Sequence, residues 1–323
     1  MQHGATVRRF QDYPLCSQAT HSNAPCPLST LGPVTNTYEG RPLPRPQDDV
    51  VDQGLGFDLA TLGRRRVLRA LGLGVVAVGA AACGTSTSSA ATSAGEIPDE
   101  TAGPFPGDGS NGPNVLTESG IVRDDIRSSF GAAGGRAEGV PMTLELTLTD
   151  LASGGKPFAG AAVYVWQCTR EGEYSLYSPN VRDENFLRGV QVADSAGLVR
   201  FTSVFPGCYA GRWPHVHFEV YADRAGIADA SSAIATSQVA LPKAACDQVY
   251  AQSGYQASVA NLARLSLADD NVFGDDGGAR QLATTTGDPS AGFAVALAVP
   301  VDPTTAPSAG GGPGGGPPPR TSG

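Results

Sequence analysis

Met142-Thr143-Leu144-Glu145-Leu146-Thr147-Leu148-Thr149 alternates apolar and polar residues without a break. A period of two puts every leucine on one side of an extended chain, the pattern of a strand with one buried face. Working outward, Val163-Tyr164-Val165-Trp166, Leu198 to Phe201, Val216 to Tyr221 and Phe293 to Val299 are further runs rich in β-branched and aromatic residues. Gly, Pro and Asp turn signals separate most of them. Helical signal is confined to Lys243–Ala251. Several short strands with turn punctuation predict an all-β fold, a β-sandwich core with long irregular loops.

The chain has 323 residues, of which 42 are Gly, 25 are Pro and only 16% are charged. Hydrophobics at 41% suffice for one core. No apolar run reaches the roughly 18 residues that a spanning helix needs. A net charge of −9 argues against nucleic-acid partners, because phosphate binding requires a basic surface. From Gly84 onward the imbalance deepens, with 14 Lys and Arg against 25 Asp and Glu, a net −11.

Residues 1–60 show neither helical nor strand periodicity and read as disordered. Gly63-Arg64-Arg65-Arg66-Val67-Leu68-Arg69 is followed by thirteen uncharged residues, Ala70 to Ala82, and then Cys83. A basic cluster, a short apolar stretch and small residues make up an export signal. The paired arginines resemble the twin-arginine type, placing the signal and its linker at 61–95. A buried amphipathic helix is the alternative, but Gly72, Gly74 and Gly79 would weaken it. Ala80-Ala81-Ala82-Cys83 resembles a lipoprotein site that would attach the chain to a membrane through Cys83; plain cleavage into a secreted form is the other outcome. A signal this far from Met1 is expected if translation begins near Val50 or Val51. Thr304 to Gly323 holds seven Gly and five Pro, the composition of a disordered tail. The folded domain is therefore expected at 96–303.

Only two of the four histidines, His215 and His217, lie in that domain. At i and i+2 of a strand both imidazoles project from one face, an economical way to chelate a metal. H-x-H alone is a weak signal, equally at home as a structural pair. Its surroundings are Phe205-Pro206-Gly207-Cys208-Tyr209-Ala210-Gly211-Arg212-Trp213-Pro214-His215-Val216-His217-Phe218, preceded by Val163-Tyr164-Val165-Trp166-Gln167 and Glu171-Gly172-Glu173-Tyr174-Ser175.

These segments resemble the intradiol ring-cleavage dioxygenases. That family has a V-x-x-W strand leading to G-x-Y, then P-G-x-Y, then R-x-x-H-x-H, and all four occur here in order. The likeness runs from Glu100-Thr101-Ala102-Gly103-Pro104-Phe105 to the last strand. It implies a non-haem Fe(III) held by Tyr174, Tyr209, His215 and His217. Two phenolates are hard anionic donors that favour ferric iron, and two neutral imidazoles complete the set. The resemblance further implies that Tyr209 leaves the iron when a catechol chelates it. Electron density drawn from the ring then opens a ring carbon to O2, and the product is a muconate. Arg212 matches the arginine that stabilises carbanion character on the ring. Gln238, in Ala235-Thr236-Ser237-Gln238-Val239, falls where a family glutamine lies near substrate. The alternatives are that Tyr174 is a core aromatic, Tyr209 a corner residue fixing its loop, and Arg212 the partner of a surface carboxylate.

Three features depart from the family pattern. Only Ala210 and Gly211 separate Tyr209 from Arg212, Phe105 stands where many members have Tyr, and the helical dimerisation region of the catechol 1,2-type enzymes is missing. Exported, domain-only relatives match better. In an oxidising compartment Cys208 and Cys246 are expected to form a disulfide, leaving Cys168 buried. Two rivals stand beside the dioxygenase. One is a cupin-like oxygenase using His215, His217 and Glu219, disfavoured by the carboxylate spacing. The other is a non-enzymatic β-sandwich binding module of the cell envelope, which has no use for two Tyr, two His and an Arg in this order.

Overall fold

The computed structural model describes residues 95–305 and 307, together with the backbone of a two-residue ladder, β1 (Thr37–Tyr38) with β2 (Arg41–Pro42). The arginine pair, Cys83, the proposed start near Val50 and most of the tail lie outside the described residues.

The alternating stretch is β3 (Pro141–Asp150), with Met142, Leu144, Leu146 and Leu148 at most 2% exposed and the intervening residues facing outward. Its neighbours in one sheet are β11 (Gly292–Val301), running parallel, and β7 (Leu198–Val204), running antiparallel. Two minor strands complete that sheet, β4 (Lys156–Pro157) against the end of β3 and β10 (Thr284–Asp288) against β11. The second sheet is wholly antiparallel, in the order β6 (Arg188–Val192), β5 (Ala162–Trp166), β8 (His215–Tyr221) and β9 (Ala233–Ala240). Among the described residues the only α-helices are α1 (Lys243–Tyr250), close to its expected span, and α2 (Gln256–Leu262), which the sequence did not announce.

The all-β sandwich expected from the strand pattern is the fold observed. Leu144, Leu146, Val295 and Val299 of one sheet and Val163, Val165, Val216, Phe218 and Val220 of the other belong to one buried cluster. Each such side chain contributes about 1.5–3 kcal/mol by leaving water.

The second sheet is unusual in burying both its faces. All five residues of β5 and all seven of β8 are buried. A second apolar cluster explains this: Ala102, Phe105, Leu116, Ile121 and Tyr174, all from loops, roof the outer face carrying Ala162, Tyr164 and Trp166. Strands sandwiched in this way lose the alternation that β3 shows. The candidate site lies on this roofed face.

Candidate metal centre

Register assembles the first part of the site. Trp166 of β5, His217 of β8 and Gln238 of β9 are directly opposed across three neighbouring strands. Opposed residues project to the same side, so the three side chains stand in a row. Trp166 stacks on the His217 ring with centroids 4.9 Å apart and planes 5° off parallel. Tyr164 also stacks with Trp166, with centroids 5.0 Å apart.

His215, two residues before His217, shares that face. Its Nδ1 lies 2.5 Å from the carbonyl oxygen of Trp213, so the proton sits on Nδ1 and Nε2 presents a bare lone pair. That Nε2 is 3.0 Å from His217 Nε2. Burial, followed by the nearby Arg212 cation, pushes His215 down to about 3. Burial, His215 and two arginines hold His217 well below the usual imidazole range. Both rings are therefore neutral at pH 7.

Loops bring the two phenols. The Tyr209 hydroxyl lies 3.3 Å and the Tyr174 hydroxyl 3.5 Å from His215 Nε2. Tyr174 is 1% exposed, packs against Phe105 at 5.0 Å, and is fixed by a hydrogen bond from its own N–H to Ser178 Oγ. Burial, then the neighbouring Tyr209, pushes its phenol well above the ordinary range. Tyr209 sits at the margin, half-buried, beside exposed Gly211. The two loops meet because Gly172 adopts φ +93°; a Cβ there would stand 3.1 Å from Tyr209 Cβ.

Arg188 anchors the roof. It is fully buried and donates to the carbonyls of Phe105, Pro106 and Ser175 and to the hydroxyls of Tyr164 and Ser175. Its guanidinium thus ties the Phe105 loop to the residue following Tyr174. No sequence signal marked it, because a lone Arg before a Gly at the start of a short strand looks like an ordinary surface residue.

Arg212 is 5% exposed and pairs with a carboxylate, but a buried one: its Nε is 3.1 Å from Asp270 Oδ2. Its Nη2 donates to Gln238 Oε1 at 2.6 Å, and Gln238 Nε2 donates to the Thr101 carbonyl at 2.9 Å. Burial alone would lower Arg212, yet Asp270 and the two phenols outweigh it and hold the cation firmly charged. Tyr174, Tyr209, Arg212, His215, His217 and Gln238 therefore occupy one face of one sheet. Asp270 escaped sequence reasoning because it stands in the acidic run Asp269-Asp270-Asn271, which reads as a solvated loop.

Among the described residues no three His, Cys, Asp or Glu side chains converge as a metal group. This weighs against the cupin-like set, whose Glu219 accepts instead from the Tyr221 hydroxyl at 2.8 Å. The phenols are what complete a donor set. Two imidazole nitrogens and two phenol oxygens suit a hard trivalent ion, and the buried His217 Nδ1, without a hydrogen-bond partner, can take the ring proton when Nε2 binds.

The expected Cys208–Cys246 bridge is not formed; both, with Cys168, are free buried thiols. Cys208 Sγ faces the Arg212 carbonyl at 3.6 Å, while Cys246 Sγ faces that of Leu241 at 3.9 Å. Burial pushes the Cys208 thiol up to about 12, so the thiolate that disulfide exchange requires is scarce.

Comparison with known proteins bears on this arrangement. The profile of the family described as Dioxygenase (Dioxygenase_C) matches residues 111–228. Chlorocatechol 1,2-dioxygenase of Rhodococcus opacus is 33% identical over 88 residues, covering 21% of this chain and 34% of the relative. Catechol 1,2-dioxygenase of a Pseudomonas species is 36% identical over 72 residues, 22% of this chain and 23% of that one. The matches thus span about a third or less of the length of these curated relatives. The solved intradiol ring-cleavage dioxygenase from Tetranychus urticae shares the fold, with a TM-score of 0.51 at 23% identity over 65% of this chain and 96% of that one. The matched region contains Tyr174, Tyr209, Arg212, His215 and His217, so the segment carrying these residues is similar to the dioxygenase family model and to the two curated catechol-cleaving relatives.

Proposed function

We propose that the domain is a non-haem ferric dioxygenase that opens catechol-type rings between the two hydroxylated carbons, incorporating both atoms of O2 to give a muconate. The observation carrying this reading is the meeting of Tyr174 Oη, Tyr209 Oη, His215 Nε2 and His217 Nε2, with neighbouring atoms 3.0–3.5 Å apart. These four side chains would hold Fe(III). Bound there, the ion would supply Lewis acidity and draw electron density from a chelated catecholate, exposing the ring to O2.

The chain's own residues divide the remaining work. Tyr209, half-buried at the margin, is the phenol that would swing aside and take a catechol proton. Tyr174, packed under Phe105 and tied to Ser178, stays in place. Arg212 offers a fixed cation in a site with little water, where charge developing on the ring is stabilised most. Gln238 holds that guanidinium from the sheet side. Phe105 and Trp166 keep water from the ligand face.

Phenolate-to-iron charge transfer would colour the pure protein red to burgundy, and catechol would shift the band. Oxygen uptake over catechol, protocatechuate, hydroxyquinol and chlorocatechol tests the reading and ranks substrates. A ferric-loaded chain that is colourless and consumes no O2 with any of them overturns it.

We also infer that the domain is exported by the twin-arginine route, secreted or held at the envelope by lipid on Cys83; the support is the run Arg64-Arg65-Arg66 with its apolar stretch. Fractionation of the source cells tests this, and a cytoplasmic product still carrying those arginines counts against it.

A further inference from the structure

Asp270 is 3% exposed and spends its carboxylate on five donors. Two are the N–H groups of Val272 and Phe273, at 2.9 and 3.1 Å, which cap its own turn. The other contacts lead elsewhere. Oδ2 accepts from Arg212 Nε at 3.1 Å and from the N–H of Trp213 at 2.6 Å, and Oδ1 lies 3.5 Å from Arg212 Nη2. Trp213 is the residue whose carbonyl receives the His215 Nδ1 proton. Arg212 in turn reaches Gln238, the cross-strand neighbour of His217.

One carboxylate therefore touches the guanidinium directly and the first imidazole through the backbone of one residue, Trp213. Capping the 270–273 turn does not require a charge, since a neutral amide oxygen accepts from the same N–H groups. A full carboxylate is needed only for the arm that points to Arg212 and Trp213. We propose that Asp270 is the positioning residue of the site, fixing the guanidinium of Arg212 and, through the Trp213 backbone, the tautomer and ring orientation of His215.

The kinetic part of the test rests on the ferric-dioxygenase reading, whereas the spectroscopic part does not. In the full ferric-loaded chain, Asp270→Asn is expected to keep the far-ultraviolet circular dichroism and lower kcat/KM about 10–100-fold, mainly through kcat. Combined with Arg212→Gln, it should cost nothing beyond Arg212→Gln alone, because the two act as a unit. Ferric affinity of the iron-free variant, by chelator competition, should fall about tenfold through the His215 arm. Fully additive kinetic losses, or wild-type kcat/KM and iron affinity in a folded Asp270→Asn, overturn the proposal. On the iron-free wild type, nitrogen NMR should show His215 protonated on Nδ1 and an Arg212 Nε–H that exchanges slowly with water. A proton on Nε2, or a rapidly exchanging Arg212 signal, overturns it even if the Asn variant does not fold. Absent O2 uptake by the wild type would instead refute the proposed activity and leave the NMR result standing.

Discussion

His215 and His217 turn ring nitrogens on each other, Nε2 to Nε2 at 3.0 Å, with their planes 81° apart. With one proton on each neutral ring, the pair supports at most one hydrogen bond between these nitrogens, and burial disfavours adding a second proton.

The iron-free chain should therefore be acid-sensitive. Both imidazoles titrate below the usual value in the fold, so beneath about pH 6.5 the unfolded chain binds more protons than the folded one. Stability contributed by the pair is full above that pH and falls as pH drops toward the folded values. Urea midpoints of the iron-free protein at pH 8 and pH 5 measure this; an equal midpoint in the wild type and in a His215→Gln/His217→Gln variant at both pH values contradicts it.

Colour and iron content should separate the ligands. Tyr209→Phe is expected to retain iron while altering the visible band, since one phenolate remains on Tyr174. His217→Ala should lose both iron and band. Absorption spectra with metal analysis of each variant check the pair.

Gly103 controls the space in front of His217. A Cβ there would lie 3.3 Å from His217 Cε1, and the residue has φ +68°. Gly103→Ala should weaken ferric affinity about tenfold. Gly112→Ala carries the same kind of backbone strain at φ +96° with nothing within 4 Å, so it should leave affinity unchanged. Chelator competition distinguishes them, and equal affinities would remove Gly103 from the site.

Arg188→Met should destabilise the domain by at least about 3 kcal/mol, because it leaves several buried carbonyl and hydroxyl oxygens without donors. Urea denaturation gives the shift. The visible band should weaken as well, since the Tyr174 turn loses its clamp.

Glu100 supplies a pH effect of the opposite sign. Burial pushes its carboxyl up to about 8, against a smaller lowering by the Gln281 amide. The folded chain holds this proton where the unfolded chain has released it. Its stabilising contribution is therefore complete below about pH 4.5 and is lost as pH rises through about 8. Glu100→Gln should flatten thermal stability across that window, and an unchanged slope rules the assignment out.

How far sequence reached can be seen residue by residue. β3 was legible because only one of its faces is buried, and β11 because its alternation survives. β9, Ala233 to Ala240, escaped as a strand: its alanines and serines carry little strand propensity, so Gln238 was reached through the resemblance and its facing the site through register against β8. Tyr174, Tyr209, His215 and His217 could be singled out because motif spacing constrains them locally. Asp270 and Arg188 could not, since each acts on residues 58 and 82 positions away, respectively, through contacts that exist only in the folded chain. The disulfide expectation failed because chain pairing was inferred from compartment, while the thiols are turned toward carbonyls.

The parallel ladder of β3 and β11 matches Phe293 with Met142 and continues to Val301 with Asp150. The central strand of its sheet thus waits for a partner made about 150 residues later in synthesis, and such distant pairing is slow to form. A ribosome-bound chain lacking its last strand has no way to finish the sandwich. The first sheet is then completed only once residues 292–301 are available, and nascent chains stalled before residue 292 should stay open to protease along the unpaired edge of β3.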